Sequence, residues 1–261
     1  MINFHEVTFS YPNGRPVFDR FSCAIERGEA WAVVGASGCG KTTLLMMLAG
    51  LRHSAFGQVT IDDQVIDRPR PQTGLVLQDY GLLPWATIAQ NVALGLRLRN
   101  YYGPDGRHAP IEHAVGPIDP RVDKWLQRLN IDSVRDRFPA QVSGGQRQRT
   151  AIARTLCLDP DLLLMDEPFS ALDAPTREDL QNLTSDLQRE QNLTLVVVTH
   201  NIEDAVFIGQ KILVLGQPPH KQPIIIENPA AGERAYRSSS GFFEMCNQVR
   251  EILTQHAARS T

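Results

Sequence analysis

The chain has 261 residues, of which 42% are apolar and 21% charged, and its formal net charge is −3. Such proportions supply a large core for one α/β domain with an inserted lobe, and they exclude global disorder. Charges of both signs are interspersed without a basic block, which argues against a dedicated nucleic-acid surface.

In chain order, the N-terminal MINFHEVTFSY alternates like a strand and has neither the basic segment nor the apolar stretch of a signal peptide. Residues Ile2 to Tyr11 and Val17 to Ile25 are predicted to form two antiparallel strands around the turn Pro12-Asn13-Gly14. Ala30 to Val34 is a short apolar strand leading into a glycine-rich turn, with a helix expected from Thr42 to Leu51. Gly74 to Leu77, Leu162 to Met165 and Leu195 to Val198 are compact runs bounded by polar residues, as strands buried on both faces should be. Helices are predicted between them at Ile88 to Leu98, Arg121 to Leu129, Gly144 to Leu158 and Thr176 to Gln191. This alternation implies a mostly parallel sheet. The stretch 100–120 lacks any period and reads as a surface loop between two helices of a smaller lobe. Helical spacing resumes in SSSGFFEMCNQVREIL near the end. No apolar run approaches the ~20 residues of a membrane helix, so the chain is expected to be soluble and cytoplasmic. Cys23, Cys39, Cys157 and Cys246 have no metal-ligand spacing, which fits a reducing compartment.

The strongest chemical signal is Gly35-Ala36-Ser37-Gly38-Cys39-Gly40-Lys41-Thr42, followed by Thr43. It satisfies G-x-x-x-x-G-K-[ST], with a strand before it and a helix after it. Glycines let successive backbone N–H groups face a phosphate, the helix N-terminus adds partial positive charge, Lys41 reaches the outer phosphates and Thr42 ligates Mg²⁺. The alternative is a glycine-rich turn with a surface lysine. Cys39, so close to a helix N-terminus, is expected to have an acidified thiol.

A second signal is the buried strand Leu162 to Met165 ending in Asp166 and Glu167. Two carboxylates there are costly unless a cation waits for them. Asp166 suits a metal shell, and Glu167 suits a base for the attacking water. The bland reading is a strand emerging into solvent. Gly35, Gln78, Asp166–Glu167 and His200 each follow a separate apolar strand, and open α/β sheets bind ligands beyond those carboxyl ends. Singly, Gln78 is an ordinary loop residue and His200 an ordinary helix-start polar residue. Together they describe a γ-phosphate site.

Val142-Ser143-Gly144-Gly145-Gln146 opens a helix. Here the sequence resembles the ATP-binding cassette family, whose signature is usually LSGGQ, with Val142 an aliphatic replacement for Leu. Taken as an N-cap and turn, Ser143-Gly144-Gly145 would be unremarkable, but its spacing from the other motifs favours the signature. The resemblance covers essentially the whole chain. It implies an α/β P-loop NTPase cassette with a RecA-like core sheet, an N-terminal antiparallel β-subdomain and an inserted α-helical subdomain at about 85–146. The nucleotide-binding domain would be 1–220, followed by a C-terminal extension with a terminal helix at 221–261.

The resemblance also assigns roles. Tyr11 matches the aromatic that stacks on adenine, Gln78 the Q-loop, Ser170-Ala171-Leu172-Asp173 the D-loop and His200 the switch histidine. Glu167, His200 and Gln78 would be catalytic, while Thr42, Gln78 and Asp166 would hold Mg²⁺. ATP would lie on Tyr11 and the phosphate loop. Ser143 to Gln146 and Asp173 would reach the ATP of an opposing cassette, either a second copy or a homologue. The other implied partners are an integral membrane permease and an extracytoplasmic solute-binding protein, with no nucleic acid. The chain would sit peripherally on the cytoplasmic face of the inner membrane.

Gln78 and Ser143 are too close in sequence for an intervening coiled coil, and there is one cassette without fused membrane helices. That pattern resembles a stand-alone importer subunit. Asp79 to Trp85, Ala89 to Val92 and the C-terminal Arg237-Ser238-Ser239, Phe243 and Val249 to Leu253 resemble the nitrate, sulfonate, taurine and bicarbonate importer ATPases. A cassette for another cargo, such as a lipid or peptide, and a non-transport regulator remain alternatives. Trp85 is expected to dock a helix of the membrane subunit, or else to be core of the helical lobe.

Overall fold

The structure, a computed structural model, describes residues 1–12, 14–102 and 119–258. Two sheets and seven helices account for the described chain. β1 (Ile2–Ser10), β2 (Pro16–Ile25), β4 (Phe56–Ile61) and β5 (Gln64–Val65) form an antiparallel sheet in the order β2-β1-β4-β5. The second sheet takes β3 (Ala30–Gly35), β6 (Thr73–Val76), β7 (Leu162–Asp166), β8 (Thr194–Thr199), β9 (Lys211–Leu215) and β10 (Ile224–Glu227). Its order is β10-β9-β3-β8-β7-β6, parallel except for β10 against β9.

This six-stranded sheet divides two cores. β3 sends Ala30, Ala32 and Val34 to one side and Trp31 and Val33 to the other, as its period of two requires. The second side packs on the antiparallel sheet and on α1 (Lys41–Leu48). The first packs on α4 (Gly144–Leu156), α5 (Ala174–Gln191), α6 (Ile202–Ile208) and α7 (Ser240–Ala258), and on the helical lobe. That lobe contains α2 (Ile88–Tyr102) and α3 (Pro120–Arg128), both packed against α4. Burial on both faces explains the unbroken apolar runs of β3, β7 and β8.

Several boundaries move from the sequence expectation, each for a local reason. α1 ends at Leu48 because Ala49 and Gly50 close the last turn, Gly50 at φ +71°. α3 begins one residue early, where Asp119 accepts a hydrogen bond from the Arg121 N–H and Pro120 takes the first helical position. α2 continues to Tyr102 rather than ending at Leu98. The rest of the expected 100–120 loop, residues 103–118, lies outside the described residues. β4, β5, β9, β10 and α6 were not anticipated. β10 adds an edge strand to the sheet, and α7 packs on α6, so residues after 220 help build the same core. Among the described residues no helix is long and apolar enough to cross a membrane.

Candidate nucleotide site

The carboxyl ends of four parallel strands converge on one edge of the sheet. Val34 pairs with Thr199, Asp166 with Val198 and Val76 with Met165. That register sets the loop after β3 beside His200, and His200 beside Glu167. Gln78, two residues beyond Val76, is level with Glu167 and exposed. Among the described residues no hydrogen bond or ion pair joins Gln78 to the other candidates.

The phosphate loop, 35–42, curls ahead of α1. Lys41 is buried, and its Nζ donates to the carbonyls of Gly35 (2.8 Å) and Ala36 (3.0 Å). The backbone N–H groups of Gly40, Thr42 and Thr43 find no acceptor among the described residues, while that of Lys41 turns toward the Cys39 thiol. They are the orphan donors of a helix N-terminus, gathered beside a lysine, and together they suit an anion. Gly40, at φ +109°, holds a conformation open to glycine, and a Cβ there would meet Val17 Cγ1 at 2.5 Å. Tyr11 stands at the rim, half exposed, its hydroxyl 3.0 Å from Thr43 Oγ1.

Thr42 Oγ1 donates to Asp166 Oδ2 at 3.2 Å. Asp166 is 7% exposed, and burial, the largest cause, raises its pKa against the lowering effect of Thr42 and Lys41. A carboxylate in that position gains from a cation. Among the described residues no group of three or more His, Cys, Asp or Glu could hold a metal. An ion here would therefore rest on Asp166, the Thr42 hydroxyl and oxygen atoms of a phosphate, a donor set that suits Mg²⁺.

Glu167 follows β7 in the left-handed region at φ +49°, strained for a residue with a Cβ. Its N–H donates to Val198 O (2.8 Å), and its own carbonyl accepts from the Ser170 hydroxyl (3.0 Å), which turns the chain sharply. His200 Nδ1 lies 2.9 Å from Glu167 Oε2, yet out of hydrogen-bond alignment, so this buried oxygen has no hydrogen bond. Glu167 lies beside the anion cradle, where a carboxylate turned toward a bound phosphate would accept from a water.

Ser143 and Asp173 lie elsewhere. Ser143 caps α4, accepting from the Gln146 N–H (3.2 Å), while Gln146 Oε1 accepts from the Ser143 N–H (3.0 Å). The bland capping role is thus present, and it leaves the serine O–H free to donate. A Cβ on Gly145 would meet Thr176 Cγ2 at 2.5 Å, so glycine lets the start of α4 press against α5. Asp173 caps α5 by accepting from the Thr176 N–H (3.3 Å), and Thr176, through its side chain first and its backbone second, holds the carboxyl low. Ser143, Ser170, Ala171 and Asp173 are all exposed. No hydrogen bond or ion pair links 142–146 to the phosphate loop among the described residues.

Cys39 corrects one expectation. The thiol is 3% exposed, and burial raises its pKa, outweighing Lys41 and the nearby backbone. Desolvation wins over the helix N-terminus. Trp85, by contrast, is 73% exposed, which removes the core alternative. Asn91 explains this exposure: it is fully buried, accepts from the Leu83 N–H and donates to the carbonyls of Leu83, Ala86 and Thr87. The 83–87 segment is thereby fixed with Trp85 outward.

Two contributors were missed from sequence. Arg154 on α4 donates to Tyr80 O (2.7 Å) and Gly81 O, tying the signature helix to the loop after Gln78. His220 reaches the Cys39 carbonyl from beyond β9. An arginine amid the apolar stretch TAIARTL was a signal for the first, whereas nothing local marked the second.

Residues 18–170 match the ABC transporter family. The chain is 34% identical over 251 residues to the aliphatic sulfonates import ATP-binding protein of Bacillus cereus, covering 95% of this chain and 94% of that one. It is 40% identical over 205 residues to the taurine import ATP-binding protein of Pseudomonas aeruginosa, covering 78% and 73%. Among solved structures it is similar to the dimeric ATP-binding cassette MJ0796 bound to ADP and Pi in a post-hydrolysis state. There the TM-score is 0.71 at 30% identity over 87% of this chain and 98% of the other. It is also similar to cbiO1 of Clostridium perfringens, part of an ABC transporter complex, with a TM-score of 0.73 at 25% identity over 97% of each.

Proposed function

The chain belongs to the ABC transporter family as an ATPase, and from that premise we propose that it drives import of a small solute by hydrolysing MgATP between two cassettes. The observation that carries the reading is the shared sheet edge, where orphan N–H groups, Lys41, Asp166 and Glu167 meet. ATP is the substrate, with its phosphates on the loop 35–42 and its adenine on Tyr11. Asp166 and Thr42, with Gln78 from the neighbouring loop, would hold Mg²⁺, which when bound neutralises phosphate charge. Glu167 accepts the proton of the attacking water, and His200 orients the terminal phosphate. Ser143, Gly144, Gly145, Gln146 and Asp173 complete the site of an opposing cassette, which accounts for their separation from this chain's own loop.

The import direction and cargo class, a sulfonate-, taurine- or nitrate-like solute, are supported by the named activities of the relatives. On this reading Trp85 meets a separate membrane permease, a solute-binding protein works with the complex, and the chain is peripheral to the cytoplasmic face of the inner membrane. The experiment is steady-state ATP hydrolysis and ATP binding by wild type, Glu167→Gln and Lys41→Ala. Hydrolysis by Glu167→Gln is expected to fall about 10²–10⁴-fold with binding retained, and Lys41→Ala is expected to lose binding. Wild-type turnover by Glu167→Gln would remove the assigned base.

A further inference from the structure

The phosphate loop is hydrogen-bonded to a side chain from the far end of the sequence. His220 is 7% exposed, and its Nε2 lies 2.7 Å from the carbonyl oxygen of Cys39. The residue is anchored to β2 on both sides: its N–H donates to Val17 O (2.9 Å), and its carbonyl accepts from the Asp19 N–H (2.9 Å). The ring also packs on Phe18, with centroids 5.4 Å apart. A carbonyl only accepts, so Nε2 carries the hydrogen. Burial lowers the pKa of the ring, opposed by this hydrogen bond, and favours the neutral form.

The consequence follows from peptide geometry. The Cys39–Gly40 peptide is planar, and in the trans form its N–H points opposite to its C=O. A carbonyl held toward His220 directs the Gly40 N–H the other way. Gly40 needs this restraint, because glycine is the residue whose flanking peptides rotate most freely. Its φ of +109° and the contact a Cβ would make with Val17 exclude a side chain that could limit the rotation. The Gly40 N–H is one of the donors that lack a protein acceptor.

We propose that His220 is a positioning residue of the nucleotide site, holding the Cys39–Gly40 peptide so that the Gly40 N–H donates to a phosphate of ATP. The proposal rests on the reading of 35–42 as the ATP loop. It makes the segment after β9 a structural part of nucleotide binding, although none of its atoms touches ATP.

The test is isothermal titration of the full chain with ATP, well below the melting temperature, for wild type, Lys41→Ala, His220→Phe and His220→Gln. Phenylalanine keeps the ring against Phe18 but has no donor, whereas the glutamine amide can donate to the same carbonyl. Expected is a rise of about tenfold in Kd for His220→Phe, largely reversed in His220→Gln. A purely structural histidine would lower the melting temperature and leave Kd unmoved. Should His220→Phe fail to fold, His220→Leu takes its place. A folded variant without a donor that binds ATP like wild type would overturn the proposal, as would a glutamine variant no tighter than the phenylalanine one. In both cases loss of binding in Lys41→Ala would leave the loop assignment standing. A wild-type chain that does not bind ATP would remove that assignment itself, and the proposal with it.

Discussion

Asn228 is 1% exposed, and its side chain is fully partnered. Nδ2 donates to Val206 O (2.7 Å) and Gly209 O (2.9 Å), and Oδ1 accepts from the Tyr236 hydroxyl (2.8 Å). Val206 and Gly209 lie at the C-terminal end of α6, the seven-residue helix that starts two residues after His200. The last carbonyls of a helix have no partner within it, so Asn228 acts as a cap supplied from another segment. Asn228→Leu keeps the number and branching of the side-chain heavy atoms but removes both donors and the acceptor. Each hydrogen bond is worth about 1 kcal/mol net, and each buried group left unpaired costs about 1–3 kcal/mol. The Tyr236 hydroxyl keeps a longer contact to Gly241 O (3.4 Å), which limits its share. A loss of about 3–5 kcal/mol follows, and for a chain of this size that lowers Tm by about 10 °C. Tyr236→Phe removes one of the three bonds and should cost about 1–2 kcal/mol. The double variant should cost less than the sum, because the two residues share a bond. Thermal unfolding followed by circular dichroism measures all three. A fall below about 3 °C for Asn228→Leu, or strict additivity, would refute the argument.

Two other predictions concern a surface and a titration. Trp85→Ala should change the Tm of the isolated chain by no more than about 1–2 °C yet weaken co-purification with a membrane permease, and a marked fall in Tm would show a packing role. Burial raises the Asp204 carboxyl to about 6, against the effects of Arg177 and of the hydrogen bond from Gln181 (2.7 Å). The folded chain therefore binds this proton more tightly than the unfolded one, so the contribution of Asp204 to stability falls as pH rises from about 4 to about 6 and is level above. Asp204→Asn keeps the acceptor for Gln181 and should be more stable at pH 7.5 by up to about 3 kcal/mol, with little difference at pH 4. Urea unfolding at both values checks this, and a less stable Asn variant at pH 7.5 would contradict it.

The site was legible wherever chemistry follows a strand buried on both faces, because such strands leave unbroken apolar runs with polar residues at their ends. Gly35, Asp166, Glu167 and His200 are placed at strand ends in that way, and the sheet register brings them to one edge. β9 carries a comparable run, ILVL after Lys211, outside the expected strands. β4, β10 and α6 left weaker traces: β4 is half exposed, β10 is an edge strand of four residues, and α6 is too short to display a period. Cys39 shows the limit of local reasoning. Its neighbours in sequence favour the thiolate, but the core beneath the loop decides against it. Asn228 and His220 act across long sequence separations, and only the packed fold brings their partners to them.

ATP is expected to close two copies of the cassette over sites each completes for the other. The most direct measurement is the molar mass of Glu167→Gln by light scattering, with and without ATP. The variant should be a monomer without nucleotide and shift to a dimer with ATP, because binding persists while hydrolysis is blocked. Adding Ser143→Arg, which places bulk and charge at the start of α4, should abolish the shift without abolishing ATP binding. A Glu167→Gln chain that binds ATP and remains monomeric, or a Ser143→Arg double variant that still dimerises, would contradict the claim.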